Sequence, residues 1–311
     1  MSPAARRQAV AFAGGADVWP LSGGYSGETF LVTTGGEQAV LRLYARNPAR
    51  AAVDRALLER VRGLLPVPRV LEAVTVADGP GRPPFLLLEA LPGDRLDLVL
   101  PAADAPLRRR LGEAVAGVLV LLATERMPRP GWFPDATLDP APFPPAAADP
   151  VSWLAAHLDR PWFAGLSTSE RGALRAVARR ARELARRTGR VSLVHADVNP
   201  KNLLVDPATG GVTGVLDWEF AYAGSPLGDV GNLLRFDSPP DFAGAVAGGY
   251  ESRAPDVPDG WVEVARALDF LALVELATRT AGNPVVDGAR ELLLATARTG
   301  ELAAGRPYPG S

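Results

Sequence analysis

Leu193-Val194-His195-Ala196-Asp197-Val198-Asn199-Pro200-Lys201-Asn202-Leu203-Leu204-Val205 is the stretch from which the fold is read. Its apolar ends have the composition of short buried strands, and the polar segment between them is a loop. That loop presents Asp197 and, five residues later, Asn202. A third strand is predicted near Val212 to Leu216, and Asp217-Trp218-Glu219 follows it directly. Phosphoryl transfer asks for such a set. One carboxylate accepts the proton of the attacking hydroxyl, while an amide oxygen and a second carboxylate hold Mg²⁺ against the phosphates. Magnesium prefers hard oxygen ligands, so Asn202 and Asp217 are the right types to hold it, and Asp197 is the candidate base. Each residue alone is a common turn residue. Their order on successive predicted strands is what points to chemistry.

Working toward the N-terminus, Glu28 to Thr33 and Gln38 to Tyr44 are β-compatible runs joined around Gly35-Gly36, a tight-hairpin signal. A helix is predicted from about Pro48 to Leu64, ending in Pro66-Val67-Pro68. Arg69 to Val76, a Gly/Pro turn over Asp78 to Pro84, and the apolar run Phe85 to Leu88 complete a sheet with one helix. Beyond Leu91-Pro92-Gly93 the pattern turns helical. Asp104 caps a helix carrying Leu107, Leu111, Val115, Val118, Leu119 and Leu122 at helical spacing. Residues 127–150 hold eight prolines in 24 positions and are expected to be irregular. Asp149-Pro150 opens another helix, and Ser167 to Glu170 is a capping box before an arginine-rich helix reaching about Thr188. From about Leu227 the chain is again helical.

Composition narrows the functional classes. With 311 residues, 47% hydrophobic and 22% charged, the chain is globular, with room for one large or two modest domains. It has no cysteine, which excludes disulfides, thiolate metal sites and cysteine nucleophiles, and only His157 and His195, which excludes a multi-histidine metal site. A net charge of −2 argues against a nucleic-acid binder. The richest apolar stretch, Leu268 to Ala277, is broken by Asp269 and Glu275 and is too short for a bilayer. Arg6 and Arg7 are followed by no adequate apolar segment or cleavage site, so a soluble, cytoplasmic protein without a membrane partner is expected. Up to Gly93 there are ten basic and eight acidic residues, and beyond it 23 and 27. That asymmetry suits an anionic nucleotide near the first part and a neutral or cationic substrate in the second.

The pattern His195-x-Asp197-x4-Asn202, followed by Asp217 at a strand end, resembles the catalytic core of the protein-kinase superfamily. In detail it resembles the aminoglycoside phosphotransferase and choline kinase family, whose members read His-Gly-Asp where this chain has Ala196. Asp217-Trp218-Glu219 stands where protein kinases have Asp-Phe-Gly, and no Ala-Pro-Glu segment follows, which turns the expectation from protein to small-molecule substrates. The resemblance implies an α+β, bilobal, protein-kinase-like fold: a small antiparallel sheet lobe with one helix over residues 1–93, hinged at about 89–93, and a larger, mainly helical lobe over 94–311.

The same resemblance assigns further residues. Tyr25-Ser26-Gly27 falls at the tip of the hairpin that lies over the phosphates. Arg42 takes the strand position where the family carries a phosphate-binding lysine, keeping the charge but not the compact ammonium. Its helix partner is Asp54 by spacing, with Glu59 as the alternative. Backbone groups of Glu89 and Leu91 are expected to hydrogen-bond adenine. Asp229, in Gly224-Ser225-Pro226-Leu227-Gly228-Asp229, is expected to brace the catalytic loop, and His195 to support it by hydrogen bonding. Lys201, the one lysine among 33 basic residues, either touches a phosphate or is solvated. The implied cofactors are ATP and Mg²⁺, and the implied reaction is transfer of the γ-phosphoryl group to a hydroxyl of a small molecule, either an antibiotic or a metabolite such as choline or a sugar. A nucleotide-binding pseudokinase is the alternative from another class, motivated by Arg42. Asp269 and Glu275 could line a cationic-substrate pocket, or simply pair with Arg266 and Arg279 along their helix.

Overall fold

Phe30 and Val32, two apart in the strand Glu28–Thr34 (β2), are buried, as are Leu41 and Leu43 in Glu37–Leu43 (β3). Period-two patterning of this kind builds a sheet with one greasy face. The computed structural model, which describes residues 17–21, 28–77 and 83–305, contains that sheet. It adds Asp17–Leu21 (β1), Val70–Val74 (β4) and Phe85–Glu89 (β5) in the order β1-β2-β3-β5-β4, every pairing antiparallel. Val18, Phe30, Val32, Leu41, Leu43 and Phe85 form the core on one face. Arg42 pairs with Leu86 in register, so pleat alternation puts it on the opposite face. The helix Arg50–Val61 (α1) packs on β4 and β5 and buries Val53, Asp54, Leu57 and Val61.

The chain divides into two compact units. The first comprises the described residues up to Leu96 together with Phe133–Asp139 and Lys201–Phe220. The expected hinge at 89–93 therefore lies inside this unit, close to the end of its leading segment. Hydrogen bonds explain why residues 201–220 join it. The strands Leu203–Val205 and Val212–Val215 pair as a hairpin, and Asp94–Arg95 pairs with Leu203–Val205 on its other side. Val215 N–H donates to Pro66 O at 2.8 Å, and Thr213 Oγ1 donates to Pro92 O at 2.7 Å. Gly93 has φ 113°, and a Cβ there would overlap Thr213 Oγ1 and the Val205 carbonyl, so only glycine lets the chain cross at this point.

The second unit comprises Asp97–Trp132, Pro140–Pro200 and the chain from Ala221 onward. It is mainly helical, with one small sheet in which Tyr222–Gly224 lies between Gly131–Trp132 and Ser192–Val194. The helix Trp261–Ala277 is its centre, touching Pro150–His157, Thr168–Ala185, Leu227–Leu233 and Pro284–Thr299. Gly231 lets the helix Leu227–Leu233 come close to it, since a Cβ there would overlap the Ala265 carbonyl. The predicted caps are in place: Asp104 accepts from Leu107 N–H at 2.8 Å, Asp149 from Val151 N–H at 2.8 Å, and Ser167 and Glu170 form the reciprocal box. Residues 127–150 contain only the strand Gly131–Trp132 and a 3₁₀ turn, Pro145–Ala147, before the next helix begins. Among the described residues, no helix is long and apolar enough to cross a membrane.

Candidate active site

In the first unit, Asn202 closes the short 3₁₀ turn Pro200–Asn202 and immediately precedes the strand Leu203–Val205. Asp217 lies just past the partner strand Val212–Val215. Leu203 pairs with Val215, and one step beyond that rung Leu216 N–H donates to the Asn202 carbonyl at 2.9 Å. Both residues thus emerge at the same end of one hairpin. Asp217 has φ 65°, a left-handed conformation that aspartate tolerates better than most side chains and that turns the chain sharply off the strand. An amide oxygen and a carboxylate are the hard donors Mg²⁺ takes. Among the described residues no group of three or more His, Cys, Asp or Glu forms a metal cage. Magnesium bound through one or two side chains plus water and phosphate oxygens needs none, so the donor set fits it.

Arg42 is the charged centre of this unit. It is 8% exposed, with Nη1 2.8 Å from Asp217 Oδ1 and Nη2 2.8 Å from Glu219 Oε2. Its guanidinium also lies 5.5 Å from the ring centroid of Tyr44. Burial works against the charged form, but Tyr44, Asp217, Asp54 and Glu219 together outweigh it and hold the proton more tightly than in a free arginine. Asp54 acts on Arg42 through its charge while its oxygens are bonded to others. Oδ1 accepts from Arg50 Nε at 2.6 Å, and Oδ2 accepts from the Tyr44 hydroxyl at 2.9 Å. Burial first, and Asp54 second, push the Tyr44 hydroxyl well above its ordinary range. Glu59 is exposed and pairs with Arg55 at 2.8 Å. Arg50 reaches on to the Trp218 carbonyl at 2.7 Å, and the buried Trp218 indole donates to Val215 O at 3.2 Å.

Elsewhere in the first unit, Glu89 N–H donates to Arg69 O at 2.9 Å. Leu91 N–H has no hydrogen-bond partner among the described residues. Lys201 is half-buried in the turn beside Asn202. Tyr25, Ser26 and Gly27 lie outside the described residues.

The second unit holds Asp197, and its loop is clamped by a single helix. Asp229, in Leu227–Leu233, is 1% exposed and accepts two backbone donors, His195 N–H at 2.9 Å and Ala196 N–H at 2.7 Å. One turn on, Asn232 Nδ2 donates to the Ala196 carbonyl at 3.2 Å. Ala196 has φ 66°, so it occupies the left-handed region that glycine takes without strain. His195 is fully buried, and its Nδ1 accepts Asp197 N–H at 3.2 Å, which makes it a loop brace with the proton on its other nitrogen. Asp197 is half-buried; its Oδ1 accepts from Asn199 Nδ2 at 2.6 Å, and its carbonyl accepts Asn199 N–H at 2.8 Å. Burial pushes the Asp229 carboxyl up to about 7 against the opposing pull of the two N–H donors, and the charge of Asp197 adds to the rise.

Glu219, Arg50, Tyr44, Asn199 and Asn232 were not singled out from the sequence. Asn199 had a signal, since an Asx residue two positions after Asp197 sits in the loop itself. The Arg42–Glu219 contact had none, because it joins positions 177 residues apart.

The family profile of the phosphotransferase enzyme family APH matches residues 17–264. No curated protein matches the sequence. Among solved structures, the apo form of a thermostable mutant of aminoglycoside phosphotransferase APH(4)-Ia superposes with a TM-score of 0.66 at 18% identity, covering 94% of this chain and 98% of that one. A ternary complex of the same enzyme with AMP-PNP and hygromycin B gives 0.64 at 20% identity, with the same coverage. The GDP and kanamycin complex of APH(2″)-IIIa gives 0.67 at 19% identity, covering 89% of this chain and 91% of that one. These likenesses show the protein-kinase-like fold.

Proposed function

Given that the chain belongs to the APH phosphotransferase enzyme family and is a small-molecule kinase, we propose that it transfers the γ-phosphoryl group of ATP, with Mg²⁺, to a hydroxyl of an antibiotic. The observation that carries this reading is the hairpin end at which Asn202 and Asp217 emerge together, tied by the Leu216 N–H to the Asn202 carbonyl. Bound there, Mg²⁺ would neutralise charge on the β- and γ-phosphates. Asn202 and Asp217 would hold it. Asp197 would orient the acceptor hydroxyl and take its proton, on a loop fixed in place by Asp229 and Asn232. Arg42 would face phosphate oxygens with its charge. Leu91 N–H, which has no partner among the described residues, is the natural donor to adenine, with Glu89 contributing its carbonyl. Catalysis of this kind is positioning plus electrostatics rather than covalent chemistry.

The antibiotic reading is supported by the ligands of the solved relatives, hygromycin B and kanamycin. A second reading, a neutral or weakly basic metabolite as acceptor, is favoured by the charge of the second unit, which has 21 basic and 21 acidic residues. The acids that could line a cationic pocket are engaged as well. Asp269 is buried against Arg235 at 2.8 Å, and Glu275 pairs with Arg279 at 2.9 Å. Polycationic aminoglycosides ask for more spare negative charge than this. Measuring ATP consumption with Mg²⁺ over a panel of aminoglycosides, other hydroxylated antibiotics, amino alcohols and sugars tests both. Turnover with one class, abolished in Asp197→Ala, supports the kinase and names its acceptor. Tight nucleotide binding without transfer to any acceptor or to water would leave the pseudokinase.

A further inference from the structure

We infer that Glu219 is the positioning residue that orients Arg42 toward the nucleotide phosphates, a task the family resemblance assigns to a carboxylate on the helix that follows. The inference rests on the nucleotide-binding reading above. Arg42 is gripped at both arms of its fork, Nη1 by Asp217 and Nη2 by Glu219, each at 2.8 Å. Two charge-assisted bonds to opposite ends of a planar group fix its rotation as well as its place. The two carboxylates differ in their surroundings. The Glu219 side chain is 2% exposed and that of Asp217 is 13% exposed. Asp217 is proposed to face Mg²⁺, which leaves Glu219 as the carboxylate whose hold on Arg42 does not compete with a metal.

The helix α1 acts on this segment by another route. Asp54 holds Arg50, and Arg50 holds the carbonyl of Trp218, the residue between the two carboxylates. The helix thereby supports the strand-end segment that orients Arg42. The arrangement also accounts for arginine at a position where the family carries lysine. A lone ammonium on a flexible stem lacks the rigid fork that spans Asp217 and Glu219. Where protein kinases have glycine after Asp-Phe, this chain has the glutamate that makes the second bond.

The test is calorimetric titration of AMP-PNP, with and without Mg²⁺, into wild type, Glu219→Gln, Arg42→Gln and the double variant, with thermal unfolding of each. The expected result is about ten- to a hundredfold weaker nucleotide binding in E219Q, the scale of a lost charged hydrogen bond. In the Arg42→Gln background, removing Glu219 is expected to have no further effect on affinity. Equal affinity in E219Q and wild type overturns the inference and leaves Glu219 a packing residue, with lower thermal stability as its only signature. An undiminished loss in the Arg42→Gln background also overturns it; if that loss is confined to titrations with Mg²⁺, Glu219 is a metal ligand. Glu219→Asp, which keeps the charge and shortens the reach, serves in the same cycle if the glutamine variant does not fold. Absence of nucleotide binding in the wild type would sink the functional reading itself, an outcome distinct from equal binding in wild type and variant.

Discussion

Asp229 Oδ1 accepts the backbone N–H of Ala196 at 2.7 Å while Ala196 sits at φ 66°. The bond holds a non-glycine residue in a conformation that costs an alanine about 1–2 kcal/mol. Family members read His-Gly-Asp at this point, and the sequence alone offers no reason for a positive φ at an alanine. With the bond in view, Ala196→Gly is expected to fold as well as wild type or better, by at most about 1 kcal/mol, because glycine relieves the strain but gives up some of that gain to unfolded-state entropy. Ala196→Val, β-branched at positive φ, is expected to lose about 2 kcal/mol or more. Urea unfolding of the three proteins decides it. A glycine variant clearly less stable than wild type would show that the loop is not strained.

The same carboxylate predicts a pH signature. Asp229 is raised from 3.8 to about 7 in the folded protein, so between those values the native state binds the proton that the unfolded chain has released. Stability from this group is therefore fully present below about 3.8 and declines as pH rises toward about 7. Asp229→Asn cannot titrate and is expected to be less stable than wild type by a margin that narrows from pH 4.5 to 7 and stays constant above it. Thermal unfolding of both proteins across that range reads the difference directly. A margin that stays flat across that range would mean the two N–H donors outweigh burial and keep Asp229 ionised throughout it.

Local signals in the sequence carried much of the fold. The β-compatible runs Glu28 to Thr33 and Gln38 to Tyr44, joined around Gly35-Gly36, marked the first hairpin, and the caps at Asp104, Asp149 and Ser167 marked helix starts where the chain has them. The helix expected over Pro48 to Leu64 runs only from Arg50 to Val61, because the chain is already turning at Gly63, whose φ is 96°. The strand Asp94–Arg95 went unread, since two polar residues pair only because Leu203–Val205 passes beside them. The same holds for Tyr222–Gly224, which contains glycine and is ordered by two neighbouring strands. At the candidate site, the spacing of Asn202 and Asp217 followed strand ends and was legible. The network of Arg42, Glu219, Arg50, Asp54 and Tyr44 joins β3, α1 and a distant hairpin, and no periodicity reports contacts of that range.

Arg42→Lys separates charge from geometry. Lysine keeps the positive charge that offsets Asp217 and Glu219, so the variant is expected to fold, with a loss of about 1–3 kcal/mol from the broken second bond. Its KM for ATP is expected to rise about tenfold, while kcat falls less, because a mobile ammonium still reaches the phosphates but is not held toward them. Arg42→Met leaves the buried Glu219 and the partly buried Asp217 uncompensated and is expected to lose about 3–5 kcal/mol. Steady-state kinetics and urea unfolding of the pair test this. A lysine variant with unchanged KM would show that Arg42 acts by charge alone.

Asp197→Asn addresses the proton. The amide keeps the size of the side chain and an oxygen for Asn199 Nδ2, which donates to Oδ1 at 2.6 Å in the wild type, so the loop clamped by Asp229 should survive the change. What it removes is a basic oxygen for the acceptor hydroxyl. The expected outcome is a kcat lower by about 10²–10⁴, the range for loss of a general base, with nucleotide affinity unchanged within twofold or so. The split matters more than the size. A loss of nucleotide affinity in parallel with kcat would point to a collapsed loop, and the Ala196 and Asp229 variants would then show the same defect. A kcat within tenfold of wild type would mean that Asp197 only orients the hydroxyl and that the proton leaves with the transferred phosphoryl group, as a loose transition state allows.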